Sequence, residues 1–362
     1  MCAKAAVASR SAASLQSVRC SRKYRVHHTR ISAFKRSGLP LKALFSIVLV
    51  LLSPGALAGW QEQTEAIMGT RVHVEFFADS QSGTDVLMSE VMREMHRIDH
   101  AFSPYKPDSE LSQLNSRAGK DWVVVSDEMM DLLTKAHQIA ELSEGAFDVT
   151  YASVGRYYDY GEGKVPDAET IQAAVQAIDY RYVERDRRGS RVKYGHPWVY
   201  IDLGGIAKGH AVDRAIDILV RAGITQASVS AGGDSRIVGD CGGEPWTVGI
   251  QHPRKTEEVS ALLPLTDTAV STSGDYERYF EKDGVRYHHI LDPNTGKSAR
   301  GSWSVTVLGP DATFTDALST SVFVLGSTKG LELINRLPGV DAIIIDPYGQ
   351  LLFSDDLTDI AN

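Results

Sequence analysis

A fourteen-residue segment of the sequence combines a glycine pair, a lysine and two aspartates in an order that suits phosphate binding. It reads Tyr200-Ile-Asp-Leu-Gly-Gly-Ile-Ala-Lys-Gly-His-Ala-Val-Asp213 and predicts a strand, a glycine turn and a helix. The N-terminus of a helix offers unpaired N–H groups and the positive end of the helix dipole, so phosphate binds well there. Gly204 and Gly205 allow close backbone approach, and Lys208 adds a cation near the helix start. The spacing fits neither a Walker A loop nor the three-glycine dinucleotide fingerprint, and a plain strand–turn–helix is the alternative.

Two further segments place aspartates beside hydroxyls or glycine. In Thr315-Asp316-Ala-Leu-Ser-Thr320, a helix would bring Asp316 and Thr320 to one face, because they are four residues apart. A carboxylate with a hydroxyl suits Mg²⁺, which prefers oxygen ligands; a charge that complements the helix dipole is the alternative for Asp316. In Gly145-Ala-Phe-Asp148, the aspartate is either a functional residue or a local turn former.

A pair of histidines follows a strand that is rich in hydroxyl groups. Ala269-Val-Ser-Thr-Ser-Gly-Asp275 precedes Tyr287-His-His-Ile-Leu-Asp-Pro-Asn-Thr-Gly296. Neighbouring side chains of an extended segment point in opposite directions, so one of His288 and His289 is predicted to face inward and the other to be exposed. An inward imidazole could serve as a general base near neutral pH, and a packed structural histidine is the alternative.

The elements that must position these residues follow from hydrophobic periodicity. Helical spacing predicts helices over 85–102, 126–143, 208–222 and 313–325, and apolar or alternating runs predict strands over 70–77, 198–203, 227–230, 246–251, 269–273, 303–308 and 342–346. Helices and strands occur in runs more than in strict βαβ alternation, which favours an α+β fold. No Pro/Ser-rich linker and no internal repeat divides residues 59–362, so we predict one mixed α/β domain there.

Residues 1–58 are predicted to be a basic extension and a signal peptide. The run 43–52 is apolar except for Ser46, Pro54 and Gly55 interrupt it, and Ala56-Leu57-Ala58 matches a small-x-small cleavage site. A membrane anchor is the alternative, but a span needs about 20 residues. We therefore predict cleavage after Ala58 and export to the periplasm, with association with the inner membrane left open. A start codon downstream of Met1 would also explain the long extension.

The cysteines and charges separate this leader from the rest of the chain. Cys2 and Cys20 precede the predicted cleavage site, so Cys241 would be the single cysteine of the mature chain and would have no internal partner. No cysteine follows the site, which leaves no attachment point for a lipid. Ten of the 38 Lys and Arg residues lie in 1–58, which leaves 28 against 46 acidic residues, a net charge of −18 for the remainder. Such a body is a poor nucleic-acid binder, because Lys and Arg must neutralise phosphates.

Taken together, the motifs resemble one family, the periplasmic FAD:protein FMN transferases, once labelled thiamine-biosynthesis lipoproteins. The resemblance runs from about Ala66 to Phe353. The matching segments are Met68-Gly69-Thr70, Phe102-Ser-Pro-Tyr-Lys-Pro-Asp-Ser-Glu-Leu-Ser-Gln-Leu-Asn115, Gly145–Asp148, Asp202–Asp213, Val229-Ser-Ala-Gly-Gly233, Ser271-Thr-Ser-Gly274, His289–Gly296 and Asp316–Thr320. Each segment is a weak signal alone, and their shared order and spacing make the set specific.

The resemblance implies an α+β fold with a tunnelling-fold-like core and a cleft that holds FAD, with Mg²⁺ on its pyrophosphate. It implies an enzyme that splits FAD, releases AMP and attaches FMN through a phosphoester to a Thr or Ser of an acceptor protein. The implied acceptors are subunits of membrane electron-transfer complexes of the sodium-pumping quinone reductase type. Two alternatives stay open: a Mg²⁺-dependent FAD pyrophosphatase that gives FMN and AMP, and a periplasmic protein that only binds flavin.

The resemblance also assigns site residues, one position at a time. Contacts with FAD fall on Met68, Tyr105, Ala146, Phe147, Asp148, Asp202, Lys208 and Leu291. Metal ligands fall on Gly205, through its backbone carbonyl, and on Asp316 and Thr320. We predict that His289, on the same face as Leu291, assists deprotonation of the acceptor hydroxyl. Ser319 departs from the family, since some members have a further acid there, and the lipid-attachment cysteine of many members is missing.

Overall fold

The computed structural model describes residues 16–20 and 58–361. The apolar run 43–52 and Ala56-Leu57 of the predicted signal peptide lie outside the described residues. The strands are β1 (Gln16–Arg19), β2 (Gly59–Ile67), β3 (Thr70–Ala78), β4 (Val123–Val124), β5 (Val183–Asp186), β6 (Arg191–Tyr194), β7 (Ala227–Ala231), β8 (Asp234–Val238), β9 (Trp246–His252), β10 (Lys255–Leu265), β11 (Ala269–Gly274), β12 (Tyr279–Lys282), β13 (Val285–His288), β14 (Leu291–Asp292), β15 (Lys297–Ser298), β16 (Ser304–Gly309), β17 (Asp341–Ile345) and β18 (Leu351–Phe353). The helices are α1 (Thr84–Phe102), α2 (Glu110–Arg117), α3 (Asp127–Leu142), α4 (Ala152–Gly155), α5 (Ala168–Ala174), α6 (Ala207–Arg221), α7 (Ala312–Ile334) and α8 (Asp355–Ala361).

An eight-stranded sheet forms the centre of the molecule, in the order β18-β17-β16-β11-β8-β7-β3-β2. Every neighbouring pair in it is antiparallel. Helix α6 packs against α1, α7 and the strands β7 and β8, while α7 packs against β11 and β16. The sheet and these helices therefore form two layers, and the ends of α6 and α7 meet over the middle strands.

The hydrophobic core between the layers follows from the periodicity of the sequence. Strand β3 buries Val72, Val74 and Phe76, which alternate along it, and α1 buries Met95 and Ile98 against them at helical spacing. These positions carry the apolar patterns that predict a strand over 70–77 and a helix over 85–102. The mixed helix and strand architecture confirms the predicted α+β class.

Smaller elements attach to this body. Strands β9 and β10 form a hairpin, and β1 pairs with the free edge of β9. Strands β12 and β13 form a second hairpin. Strand β14 pairs with β15, and β6 lies between β4 and β5. Among the described residues, no helix is long and apolar enough to cross a membrane.

The predicted strand over 198–203 is wrong. These residues join no sheet, because the side-chain amide of Asn115 takes the place of a neighbouring strand. Its Oδ1 accepts from the N–H of Ile201 and its Nδ2 donates to the carbonyl of Ile201, both at 2.9 Å. The Asp202 N–H donates to the carbonyl of Val149. A side chain from α2 thus holds the segment that leads into the glycine pair, which an apolar run alone could not show.

The first described segment adds a feature that the sequence did not predict. In the full chain, β1 pairs with β9 from Gln16 opposite Ile250 to Arg19 opposite Thr247, and Cys20 forms a disulfide with Cys241. Cys241 therefore has a partner in the full chain, whereas the predicted mature chain, which lacks residues 1–58, would leave it without one.

Candidate functional site

One cleft of about 650 Å³ opens between the sheet and the N-terminal ends of α6 and α7. Its volume is in the range of small-molecule and cofactor sites. Every residue that the sequence predicts for the site lines this cleft. These residues are Met68, Tyr105, Ala146, Phe147, Asp148, Asp202, Gly205, Lys208, His289, Leu291, Asp316 and Thr320. The structure thus brings the predicted set together, while the role of each residue stays a prediction.

Oxygen atoms from α7 and from the glycine turn before α6 lie close together at the base of the cleft. Asp316 and Thr320 lie one turn apart on α7, and a Cβ built on Gly205 would be 3.5 Å from Thr320 Oγ1. Asp316 is buried, and its Oδ2 accepts from the N–H of Gly209 at 3.0 Å. The donors that face one another here are a carboxylate, a hydroxyl and the backbone beside Gly205. Such hard oxygen donors fit Mg²⁺.

Lys208 lies between two carboxylates at the same place. Its Nζ bonds Asp234 and is 3.3 Å from Asp316 Oδ1. Burial alone would lower the pKa of Lys208, but the charges of Asp234 and Asp316 outweigh it and raise the pKa. Burial raises the pKa of Asp316, and the nearby Asp234 adds to the effect. Two carboxylates share one ammonium, so this corner has one carboxylate more than it has cations, and a divalent cation there would favour the ionised form of Asp316.

A glycine and an aspartate set the close approach of α6 to α7. A Cβ on Gly209 would overlap the carbonyl oxygen of Ala312, so only glycine fits this crossing. The carboxylate of Asp213 accepts from the N–H groups of Ala312 (2.9 Å) and Thr313 (2.8 Å), and from the Thr313 hydroxyl. Asp213 also pairs with Arg236 of β8. These contacts hold the first turn of α7, and with it Asp316, against α6.

Two aspartates of the cleft wall organise their own turns. The Asp148 carboxylate accepts from the N–H and hydroxyl of Thr150 and from the N–H of Tyr180. Burial raises the pKa of Asp148 to about 6. Asp148 therefore does form a local turn, which is one of the two roles that the sequence allows for it. Asp202 Oδ1 accepts from the Gly204 N–H at 2.6 Å, which shapes the turn before α6.

The remaining walls are apolar or aromatic. Phe147 and Leu291 are buried side chains of the cleft. Met68 lies at the turn between β2 and β3 with φ of 55°, a left-handed conformation that is uncommon outside glycine. Tyr105 stands at the mouth, 73% exposed, and its hydroxyl accepts from Arg278 at 3.4 Å. A flat aromatic ligand could lie between such walls.

The two histidines differ from the prediction in one respect. His289 faces the cleft as predicted, but His288 is not exposed: it is 2% exposed, bonds the Ala299 carbonyl through Nε2 at 2.8 Å and packs on Phe323. The two rings point in opposite directions, as alternation predicts. Because the protein encloses both faces of the segment, neither ring is exposed on the surface. Burial, with the charge of Arg278 second, lowers the pKa of His289 to about 3. Its imidazole is therefore neutral at physiological pH.

Hydroxyl groups line the cleft beside α7. Ser273 Oγ lies 2.8 Å from Ser319 Oγ and 3.2 Å from Thr320 Oγ1. Ser319 Oγ also donates to the carbonyl of Asp316. Ser319 is thus a neutral residue that is tied to its neighbours by both contacts.

Several polar residues at the site could not be predicted from the sequence. Asp234 bonds Lys208, and Glu277 and Arg278 line the cleft. Burial raises the pKa of Glu277 to about 7. Asp234 follows a glycine pair, which is a weak turn signal. Glu277 and Arg278 precede a hairpin, and only the pairing of β12 with β13 shows that they lie near His289.

Comparisons with known proteins find relatives over most of the chain. The sequence matches the ApbE family over residues 68–344. The FAD:protein FMN transferase of Treponema pallidum is 33% identical over 338 residues, which cover 86% of this chain and 93% of that protein. The Vibrio cholerae FAD:protein FMN transferase is 32% identical over 320 residues, with 82% and 91% covered.

Solved structures show the same likeness. The crystal structure of the ApbE protein from Thermotoga maritima superposes with a TM-score of 0.77 and 37% identity, covering 84% of this chain and 100% of that one. The flavin transferase ApbE from Vibrio cholerae superposes with a TM-score of 0.74 and 28% identity, covering 84% and 99%.

Proposed function

This chain belongs to the ApbE family and is a flavin transferase, and on that premise we propose a Mg²⁺-dependent transfer of FMN from FAD to a protein hydroxyl. The acceptor is a Thr or Ser side chain, the new bond is a phosphoester, and AMP is released. The observation that carries the proposal is the single cleft in which all the residues assigned to FAD and to the metal meet.

The donor set supports Mg²⁺ as the metal. The Gly205 carbonyl, the Asp316 carboxylate and the Thr320 hydroxyl would hold it, and the second carboxylate beside Lys208 would favour a cation there. When bound, Mg²⁺ supplies charge neutralisation for a pyrophosphate and polarises its oxygens. Among the described residues, the group of His, Cys, Asp and Glu side chains close enough to hold a metal together is Glu62, His73 and Glu75, and none of these lines the cleft.

The chain's own residues would orient FAD and move the proton. Phe147 and Leu291 offer apolar surfaces to the flavin or adenine ring, and Tyr105 covers the mouth. His289 faces the cleft and is unprotonated there. The negative charge of a bound pyrophosphate would raise its pKa toward the value that a general base for the acceptor hydroxyl needs. Phosphoryl transfer needs positioning and charge neutralisation more than covalent help from the protein. This division of tasks matches the residues present.

One incubation separates the proposal from its two alternatives. The protein is mixed with FAD, Mg²⁺ and a soluble domain of a sodium-pumping quinone reductase subunit. Transfer gives a fluorescent acceptor band on a denaturing gel, whereas a pyrophosphatase gives free FMN and AMP without a labelled band. A protein that only binds flavin gives neither product. The matched control is the same domain with its acceptor Thr replaced by Ala, which must stay unlabelled.

We also propose that the enzyme acts in the periplasm on subunits of membrane electron-transfer complexes. The support is the apolar run 43–52 followed by the small-residue site Ala56-Leu57-Ala58, the pattern of a signal peptide. Fractionation of cells that express the full chain, followed by an activity assay of each fraction, tests this location. Activity confined to the cytoplasm would contradict it.

A further inference from the structure

Cations are few in the cleft, and most of them are already neutralised. Its described lining contains Lys106, Lys208 and Arg278. Lys106 Nζ lies 2.6 Å from Asp99, and Lys208 is held between Asp234 and Asp316. Neither ammonium can turn to an anionic ligand without leaving a carboxylate unpaired, which is unfavourable in a partly buried place.

Arg278 differs from both lysines. Its guanidinium contacts the Tyr105 hydroxyl at 3.4 Å and lies over the ring of Tyr160, 5.6 Å from the ring centroid. Among the residues that the structure describes, it forms no ion pair with a carboxylate. A guanidinium held by aromatic groups keeps most of its N–H donors for a ligand, and its planar fork matches phosphate oxygens.

The backbone places Arg278 next to the predicted base. In the β12–β13 hairpin, Tyr279 pairs with His288. The residues just beyond this pair, Arg278 and His289, are also joined: the His289 N–H donates to the Arg278 carbonyl at 3.1 Å. Both side chains line the cleft. The hairpin therefore places the guanidinium of Arg278, which is not paired with a carboxylate of the described residues, and the neutral imidazole of His289 on the same wall of the cleft.

We propose that Arg278 is the phosphate-binding cation of this enzyme and contacts the phosphoryl group that is transferred. The inference rests on the proposed function. In that reaction, the acceptor oxygen forms a bond to the FMN phosphorus, and the bond from this phosphorus to the bridging oxygen breaks. The bridging oxygen leaves with the electron pair as part of AMP, and the hydroxyl proton passes to His289. Arg278 offsets the negative charge of the non-bridging oxygens throughout.

The test compares Arg278→Gln and Arg278→Lys with Arg156→Gln. Arg156 is a matched control, because it also lies over tyrosine rings and bonds a tyrosine hydroxyl, yet it is not part of the cleft lining. Flavin fluorescence gives the affinities for FAD and for riboflavin, which has no phosphate. Since a charge-assisted hydrogen bond contributes about 1.5–3 kcal/mol, Arg278→Gln should weaken FAD binding about 10- to 100-fold and leave riboflavin binding unchanged. Arg278→Lys should fall between it and wild type, and Arg156→Gln should equal wild type.

Two results would overturn the inference. One is FAD affinity and turnover of Arg278→Gln within about threefold of wild type, which is less than the loss of one such bond. The other is an equal loss of FAD and riboflavin affinity, which would show that Arg278 shapes the cleft without binding phosphate. The binding measurements need no acceptor protein. If wild type binds FAD but labels no acceptor, the proposed function fails while Arg278 is still tested.

Discussion

At the scale of single residues, Asp316 meets several demands at once. It accepts a backbone hydrogen bond from α6, it shares the ammonium of Lys208 with Asp234, and it faces Thr320 one turn along α7. A buried carboxylate that is paired this closely has little freedom to move. Its oxygen that faces the cleft is therefore fixed before any ligand arrives.

The first expectation concerns these two residues of α7. Asp316→Ala removes a charged ligand and leaves Lys208 with one carboxylate, so turnover should be abolished. Thr320→Ala removes a weaker neutral ligand and should lower turnover only in part. Titration of activity with Mg²⁺ distinguishes them, because raised Mg²⁺ should partly restore Thr320→Ala alone. Full activity of Asp316→Ala at low Mg²⁺ would show that the metal assignment is wrong.

The second expectation concerns His289. His289→Ala should keep FAD affinity and lose about 10²- to 10⁴-fold in FMN transfer, the usual contribution of a general base. Because burial lowers the pKa of His289 to about 3, the imidazole stays in its base form as pH falls from 8 to 5. The ratio of wild-type to variant kcat/KM for FAD, which reports the pKa of the free enzyme, should therefore be constant over that range. A collapse of FAD affinity in the variant would return His289 to a structural role.

His288 is a poor control for that experiment, because its replacement is not expected to leave stability unchanged. Alternation with the inward His289 predicts an exposed His288, but the side chain is buried. It is buried, bonded to Ala299 and packed on Phe323, and burial lowers its pKa to about 4. Its replacement by alanine leaves a cavity and should lower stability. Transfer by the folded fraction should remain near wild type, so rates need to be normalised to bound FAD.

At the scale of elements, the crossing of α6 and α7 decides where the oxygen ligands lie. Gly209→Ala would force the helices apart, because the added Cβ overlaps the Ala312 carbonyl. Overpacking of this kind typically costs about 1–3 kcal/mol. We expect a lower denaturation midpoint and a raised Mg²⁺ requirement, since Asp316 moves with α7.

Gly161→Ala is a suitable comparison for that variant. Its φ is not in the left-handed region, and a Cβ there would approach only the side chain of Asp159, at 3.4 Å. It should keep wild-type stability and Mg²⁺ response. If both glycine variants behave alike, the helix crossing does not control the metal ligands.

The elements also show how far sequence reasoning reaches. Helical and alternating patterns predict α1, α3, α6, α7 and most strands of the sheet, because burial of one face imposes a period on the chain. The site residues were predicted by resemblance, and they do meet in one cleft. What the sequence could not show are contacts that depend on distant side chains. Asn115 replaces a strand partner for Ile201, and Asp234 reaches Lys208 from a different strand.

At the scale of the whole molecule, charge divides the chain in two. The first 58 residues have ten basic residues and no acidic ones, and the remainder has a net charge of −18. An acidic body repels a pyrophosphate at long range, so binding of FAD depends on local cations in the cleft. This is why the pairing state of each cleft cation, and of Arg278 above all, matters more than the total charge.

The last expectation concerns residues 1–58 and the state of Cys241 once they are removed. Cleavage after Ala58 would give a mature protein that begins at Gly59 and would remove β1 together with Cys20, which β9 and Cys241 hold in the full chain. Cys241 would then be a free thiol in the cluster that contains Trp246, and it would be more exposed than in the full chain, where Val18 and Cys20 pack against that cluster. Intact mass of the periplasmic protein should match residues 59–362, and alkylation after unfolding should modify one cysteine without prior reduction. A mass that includes residues 1–58, or a Cys241 that reacts only after reduction, would show that the leader is kept as part of the folded enzyme.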